Sequence, residues 1–168
     1  MNHYQQTLFL DADTAAVYAA LTTPEGLRGW WTQDCDVEAA VGDTIHFRFG
    51  ANYKDMQIER LEPGRLVQWQ CTRAHIAAGQ LRRRDEWVGT QVVFRMSPVA
   101  GGRTRLDFEH IGLVPEMDCY ELCSGGWQYF LTSLQQYAGT GRGTPHQLDG
   151  VCQAHAASAA AEATAAAH

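Results

Sequence analysis

Apolar side chains along the sequence follow one period, then another, and the changes mark the elements. Residues 3–10, HYQQTLFL, form a short apolar-rich run suited to a first strand. Asp13 supplies an acceptor for a helix N-cap, and TAAVYAAL follows with Val17 and Leu21 one turn apart. Thr23-Pro24 opens a second helix, with Thr23 as cap and Pro24 where a missing N–H costs nothing. Gly26 and Gly29 weaken that helix before Trp30-Trp31, so it is predicted to be short.

From residue 34 the period is two. Ile45, Phe47 and Phe49 alternate with His46 and Arg48; Met56, Ile58 and Arg60 are placed on one face before the turn Glu62-Pro63-Gly64. Val67, Trp69 and Cys71 alternate next. After a polar loop come Thr90, Val92, Phe94 and Met96, the turn Ala100-Gly101-Gly102, and Thr104, Leu106, Phe108 and His110. Consecutive strands joined by tight turns predict an antiparallel meander with one apolar face.

The period then returns to that of a helix. Soon after Pro115, Tyr120, Cys123, Trp127, Phe130, Leu131, Leu134 and Ala138 fall three and four apart on one stripe. Gly139, Gly141, Gly143 and Pro145 end it. Residues 146–168 are Ala-rich and of low complexity, with too few large apolar side chains for a core, and are expected to be disordered or an isolated helix. The predicted class is α+β: a curved antiparallel sheet of six to seven strands, two short helices after the first strand, and a long C-terminal helix. That helix carries the only stripe long enough to cover the sheet.

Composition narrows the function. A chain of 168 residues fits one domain, with residues 1–145 as its expected extent. The net charge of −6 argues against nucleic acid, and Arg82-Arg83-Arg84 is answered at once by Asp85-Glu86, as in a solvated loop. No secretory signal or membrane-spanning run is read. The cysteines at 35, 71, 119, 123 and 152 are irregularly spaced and odd in number, which fits reduced thiols in a cytoplasm.

Six segments, in order, carry a resemblance: AAVYAALTTPEGLRGWW (15–31), the FRF strand after Gly42, LEPGRLVQW (61–69), WVGTQVVFRMSP (87–98), GGRTRLDFEHIGL (101–113) and GWQYFLTSLQQYAGTGRGTP (126–145). Together they resemble the START/Bet v 1-like superfamily (SRPBCC), and within it the domain similar to the C-terminal part of the activator of Hsp90 ATPase. The resemblance implies a helix-grip fold whose cavity often holds an apolar small molecule. It implies no shared reaction, because the superfamily includes carriers, cyclases, dehydratases and interaction domains. No segment matches the separate N-terminal domain of the eukaryotic activator, which weakens the expectation of Hsp90 activation.

The candidate site follows from the inward-facing positions. Trp30, Trp31, Phe47, Phe49, Trp69, Phe94, Phe108 and Trp127 are expected to line a ligand cavity, together with Met56, Ile58, Val92, Tyr120 and Cys123; the same rings could instead simply fill the core. His110, in phase with Leu106 and Phe108, should point inward, either toward a ligand or as a core histidine paired with a backbone carbonyl or a Tyr hydroxyl. Cys119 and Cys123 share a helix face, but a fourth zinc ligand is lacking, so no metal, no cofactor and no catalytic residue is assigned. The expected function is binding of a small hydrophobic or amphipathic molecule, with a homodimer plausible. The alternatives are a cyclase- or hydrolase-type enzyme using the same pocket, and a stress-response or chaperone-interaction domain.

Overall fold

The computed structural model describes residues 3–77 and 79–148. Strand β1 (Tyr4–Leu10) ends where Asp13 begins α1 (Thr14–Thr22), its carboxylate accepting the Ala16 N–H at 2.8 Å. Thr23 closes α1 and caps α2 (Pro24–Trp30), accepting the Gly26 N–H at 3.1 Å with Pro24 in the first turn. The glycines read as helix weakeners turn out to be points of close approach. A Cβ on Gly26 would lie 2.5 Å from Ala20 Cα, and one on Gly29 would lie 2.3 Å from the Tyr137 ring.

The meander then runs through β2 (Cys35–Asp36), β3 (Thr44–Phe49), β4 (Asn52–Glu62), β5 (Leu66–His75), β6 (Gln91–Val99) and β7 (Arg103–Ile111). All neighbours are antiparallel, and β1 pairs with β7, so the seven strands lie in the order β1-β7-β6-β5-β4-β3-β2. One face is apolar: Ile45, Phe47, Phe49, Met56, Ile58, Trp69, Val92, Phe94, Leu106 and Phe108 are all buried. Arg60 departs from the expected pattern. A register shift between Ile58 and Arg60 rotates it out of phase, and it is exposed and paired with Glu62 at 2.6 Å.

Helix α3 (Tyr120–Thr140) lies over that face and buries Cys123, Trp127, Phe130, Leu131 and Leu134. It starts five residues beyond Pro115, after a turn, and ends at Gly141, whose φ of 82° is the left-handed conformation glycine accepts without strain. On α3 the Ser133 hydroxyl donates to Trp30 O, and past the helix His146 N–H donates to Trp31 O, so both dock on the end of α2. The architecture is the helix grip, an α+β fold. The Ala-rich stretch from 149 onward lies outside the described residues. Among the described residues no helix is long and apolar enough to cross a membrane.

Candidate functional site

The space between sheet and α3 is built from rings. Trp31, at the end of α2, sits 4.3 Å from Phe47, 5.6 Å from Phe49, 6.0 Å from Trp69 and 5.2 Å from Trp127, measured between centroids. Trp30 contacts Trp31 and Phe94, and Phe94 contacts Trp69 and Phe108. Trp127 reaches Phe108 at 4.5 Å. Every one of the expected lining residues is buried except Tyr120, which is half-buried on the first turn of α3. In this conformation their side chains occupy the interior; a void of about 10 Å³ remains beside Trp69, Leu21 and Ile58. Clefts of about 290 Å³, by His46, Arg48 and Arg73, and about 320 Å³, by Arg60, Arg65 and Arg95, open elsewhere and hold none of the expected lining residues.

His110 pairs with neither of the partners anticipated for a core histidine. Its Nδ1 accepts the Trp127 indole N–H at 2.9 Å, which leaves the proton on Nε2 to meet Thr90 Oγ1 at 2.8 Å. Thr90 in turn donates to Trp87 O at 2.6 Å. Burial, then the nearby Lys54 charge, lowers the imidazole from its ordinary value to about 3, so it is neutral at physiological pH. Both nitrogens are occupied, and neither is free to ligate a metal or take a substrate proton.

Trp87 is the part of the site that reading the pattern placed wrongly. It belongs to the polar connection between β5 and β6, expected to be a solvated loop, and the flanking arginines are indeed on the surface. The indole nevertheless turns inward and is 1% exposed. It stacks on Trp127 at 5.7 Å, meets His110 edge-on at 4.4 Å, and donates its N–H to Cys123 Sγ at 3.1 Å. The connection is pinned by Arg82 on Asp118 and by Arg84 on Ile76 O. Its Glu86 carboxylate accepts the N–H groups of Asp118 and Cys119, capping α3 from outside the helix.

Lys54 was also missed. It lies on β4 opposite Phe47 and Ala74, with its side chain wholly buried. Its ammonium stands 4.3 Å from the Trp87 ring centroid and 5.0 Å from that of Phe49, and no acceptor of the described residues, sulfur included, lies within hydrogen-bond reach. Burying an ammonium without a counter-charge costs on the order of several kcal/mol. The two ring faces return part of that, on the order of 2 kcal/mol each when desolvated. Burial therefore lowers its pKa to about 7, against the pull of the Cys123, Cys71 and Cys119 sulfurs, each of which favours the charged form. The thiols respond to the same surroundings: burial pushes Cys71 up to about 12, and the hydrogen bond with Cys123, aided by burial, pushes Cys119 up. The available sign was phase, since Lys54 precedes Met56 and Ile58 at intervals of two.

The fold and this interior define a helix-grip protein of the SRPBCC kind, with an aromatic core closed at one end by a loop-borne tryptophan. The profile of the family described as activator of Hsp90 ATPase homolog 1-like protein matches residues 11–139, and the chain belongs to that family. Among solved structures it is similar to the Aha1 dimer from Colwellia psychrerythraea, at 31% identity and a TM-score of 0.71, over 85% of this chain and 100% of that one. It also shares its fold with protein SSP2350 from Staphylococcus saprophyticus (18% identity, TM-score 0.64, 83% of this chain and 93% of that one). Protein MLL2253 from Mesorhizobium loti is a further fold match (22% identity, TM-score 0.64, 79% and 95%). A comparison with curated proteins returned no match.

Proposed function

We propose that this protein binds a small hydrophobic or amphipathic molecule between the sheet and α3. The observation that carries the reading is Trp87. The rest of the aromatic wall stands on strands and helices or at a helix end, whereas this indole is delivered by irregular chain, residues 79–90, and packs on His110 and Trp127 with the Lys54 ammonium over its ring. Withdrawal of this connection would break the Arg82, Arg84 and Glu86 bonds described above but need not unpair a strand or unwind a helix. With Trp87 withdrawn, the interior becomes an aromatic-walled pocket about one ring in size, flanked by Phe108, Phe49 and Trp127. The lining residues are those the alternation points inward: Trp30, Trp31, Phe47, Trp69, Val92 and Phe94 make the deep wall, and Tyr120 and Cys123 the helix side.

No reaction is assigned, because the other polar groups turned inward are already engaged. Thr104 donates to Ala12 O at 2.7 Å, and Thr90 and His110 are held as described. The dimeric state of the Colwellia relative supports a homodimer here, which light scattering would read as a mass well above 18.6 kDa. The unpaired thiols at 35, 71, 119 and 123 suit a reducing compartment such as the cytoplasm.

The test is native purification followed by organic extraction and mass spectrometry, with thermal melts against a panel of lipophilic compounds. A co-purifying molecule, or a rise in melting temperature that grows with compound concentration, is the expected result. An empty extract together with melts unmoved by every compound would end this reading.

A further inference from the structure

Among the described residues, the interior holds a lysine that no carboxylate answers; the Cys123 thiol, its pKa lowered against burial by its Cys119 hydrogen bond and by the Lys54 charge, is a group of opposite sense beside it. Lys54 is fully buried, its Nζ without a hydrogen-bond partner, with the rings of Phe49 and Trp87 over it and the sulfurs of Cys71, Cys119 and Cys123 near enough to act on its charge. The nearest carboxylates by sequence and by loop are committed elsewhere. Asp55, next along β4, holds His46 at 2.8 Å and Arg73 at 3.9 Å. Glu86 accepts the backbone N–H groups at the start of α3. His110 is neutral and fully bonded, so it offers no charge either.

A strand-borne lysine reaching into an aromatic core is an expensive way to fill space, and a Met or Leu there would pack without the penalty. What a buried ammonium does well is receive an anion, because attraction between opposite charges is strongest where water is excluded. The other groups around Nζ are ring faces and sulfur, suited to a flat or aliphatic body and to nothing polar. Of the two rings over Nζ the indole of Trp87 is the closer, at 4.3 Å against 5.0 Å for Phe49, and it stands on the connection between β5 and β6.

We propose that Lys54 anchors the acidic end of the ligand: a carboxylic acid with an aromatic or aliphatic body, its carboxylate on Nζ and its body in the place Trp87 now holds. The assignment rests on the binding reading above and adds to it the charge and class of the ligand.

Two matched pairs of probes test it by titration calorimetry: 2-naphthoic acid against 2-naphthamide, and decanoic acid against decanamide. Each is titrated into the wild-type protein and into Lys54→Met, which keeps the length of the side chain and removes its charge. The wild type should bind each acid about tenfold to a hundredfold more tightly than its amide. In Lys54→Met that preference should vanish while the amides still bind. Equal binding of acid and amide by the wild type, or an acid preference that survives Lys54→Met, overturns the anchoring role and leaves the apolar binding reading standing. If none of the four binds the wild type, the assignment of ligand class falls, and the binding reading is decided by the extract and the melts described above. The wild-type comparison decides alone if Lys54→Met does not fold.

Discussion

At His110 both ring nitrogens are engaged, so the residue ties β7 to α3 and, through Thr90, to the connection that carries Trp87. Replacing it with Phe strands the Trp127 N–H in an apolar interior, and the expected loss is about 1–3 kcal/mol. Urea denaturation measures it; a loss under about 0.5 kcal/mol would mean the bonds carry no net stability. Lys54 makes a prediction of opposite character. Its folded pKa of about 7 lies below the ordinary 10.5, so between those values the unfolded chain binds the extra proton and stability rises with pH. The rise approaches about 1.4 kcal/mol per pH unit at its steepest. Of the groups that face it, His110 is neutral over this range, while Cys71 and Cys119, raised in the fold, pull stability down once unfolded thiols ionise near pH 9, so the Lys54 rise is read between pH 7 and about 8.5. In Lys54→Met the slope between pH 7 and about 8.5 should flatten, and the variant should melt higher than the wild type at pH 6. On the acid side the neutral His110 acts in the same sense: its contribution is complete above pH 6.5 and is lost as pH falls toward about 3. His110→Phe should flatten that limb.

Among the elements, the strands were legible in the sequence because the sheet is largely apolar on one side, so period two survives intact in 45–49, 67–71 and 104–110, and in 92–96 but for the buried Val93. Arg60 escaped because a bulge resets the phase and leaves no mark in residue type. Trp87 escaped because a connection has no period to read; its inward turn is fixed by contacts with Trp127, Cys123 and His110, all distant in sequence. Lys54 fell in phase with the core, but the identity of its side chain outweighed its position. The start of α3 shows the same dependence on distant partners: Cys119 offers no side-chain cap, and Glu86 does the work from 33 residues away. Glu86→Ala should cost about 1 kcal/mol and speed hydrogen exchange in the first turn of α3 more than in its middle. At the α2–α3 contact, Gly29→Ala drives a methyl into the Tyr137 ring and should cost about 1–3 kcal/mol. Adding Tyr137→Leu should recover part of that loss.

On the scale of the molecule, the first strand closes on the last, so the chain's N-terminal segment completes the sheet that the meander builds. The layering of sheet, short helices and covering helix was accessible from pattern alone, because each needs the others to bury its apolar side. Whether the enclosed space is occupied by side chains or by something else was not, since that turns on ring-to-ring distances that alternation cannot supply. The five tryptophans bear on this directly. Trp30, Trp31, Trp127 and Trp87 follow one another at centroid distances of 5.2–5.7 Å with planes inclined by 6–30°, a row from α2 to the loop, and Trp69 branches from Trp31 at 6.0 Å. Rings this close do not absorb or emit light independently; their transitions mix. The row therefore acts as a single chromophore with Trp87 as its terminal member. Any event that lifts that one indole out of line shortens the array and alters the near-ultraviolet circular dichroism of the whole, with no label attached.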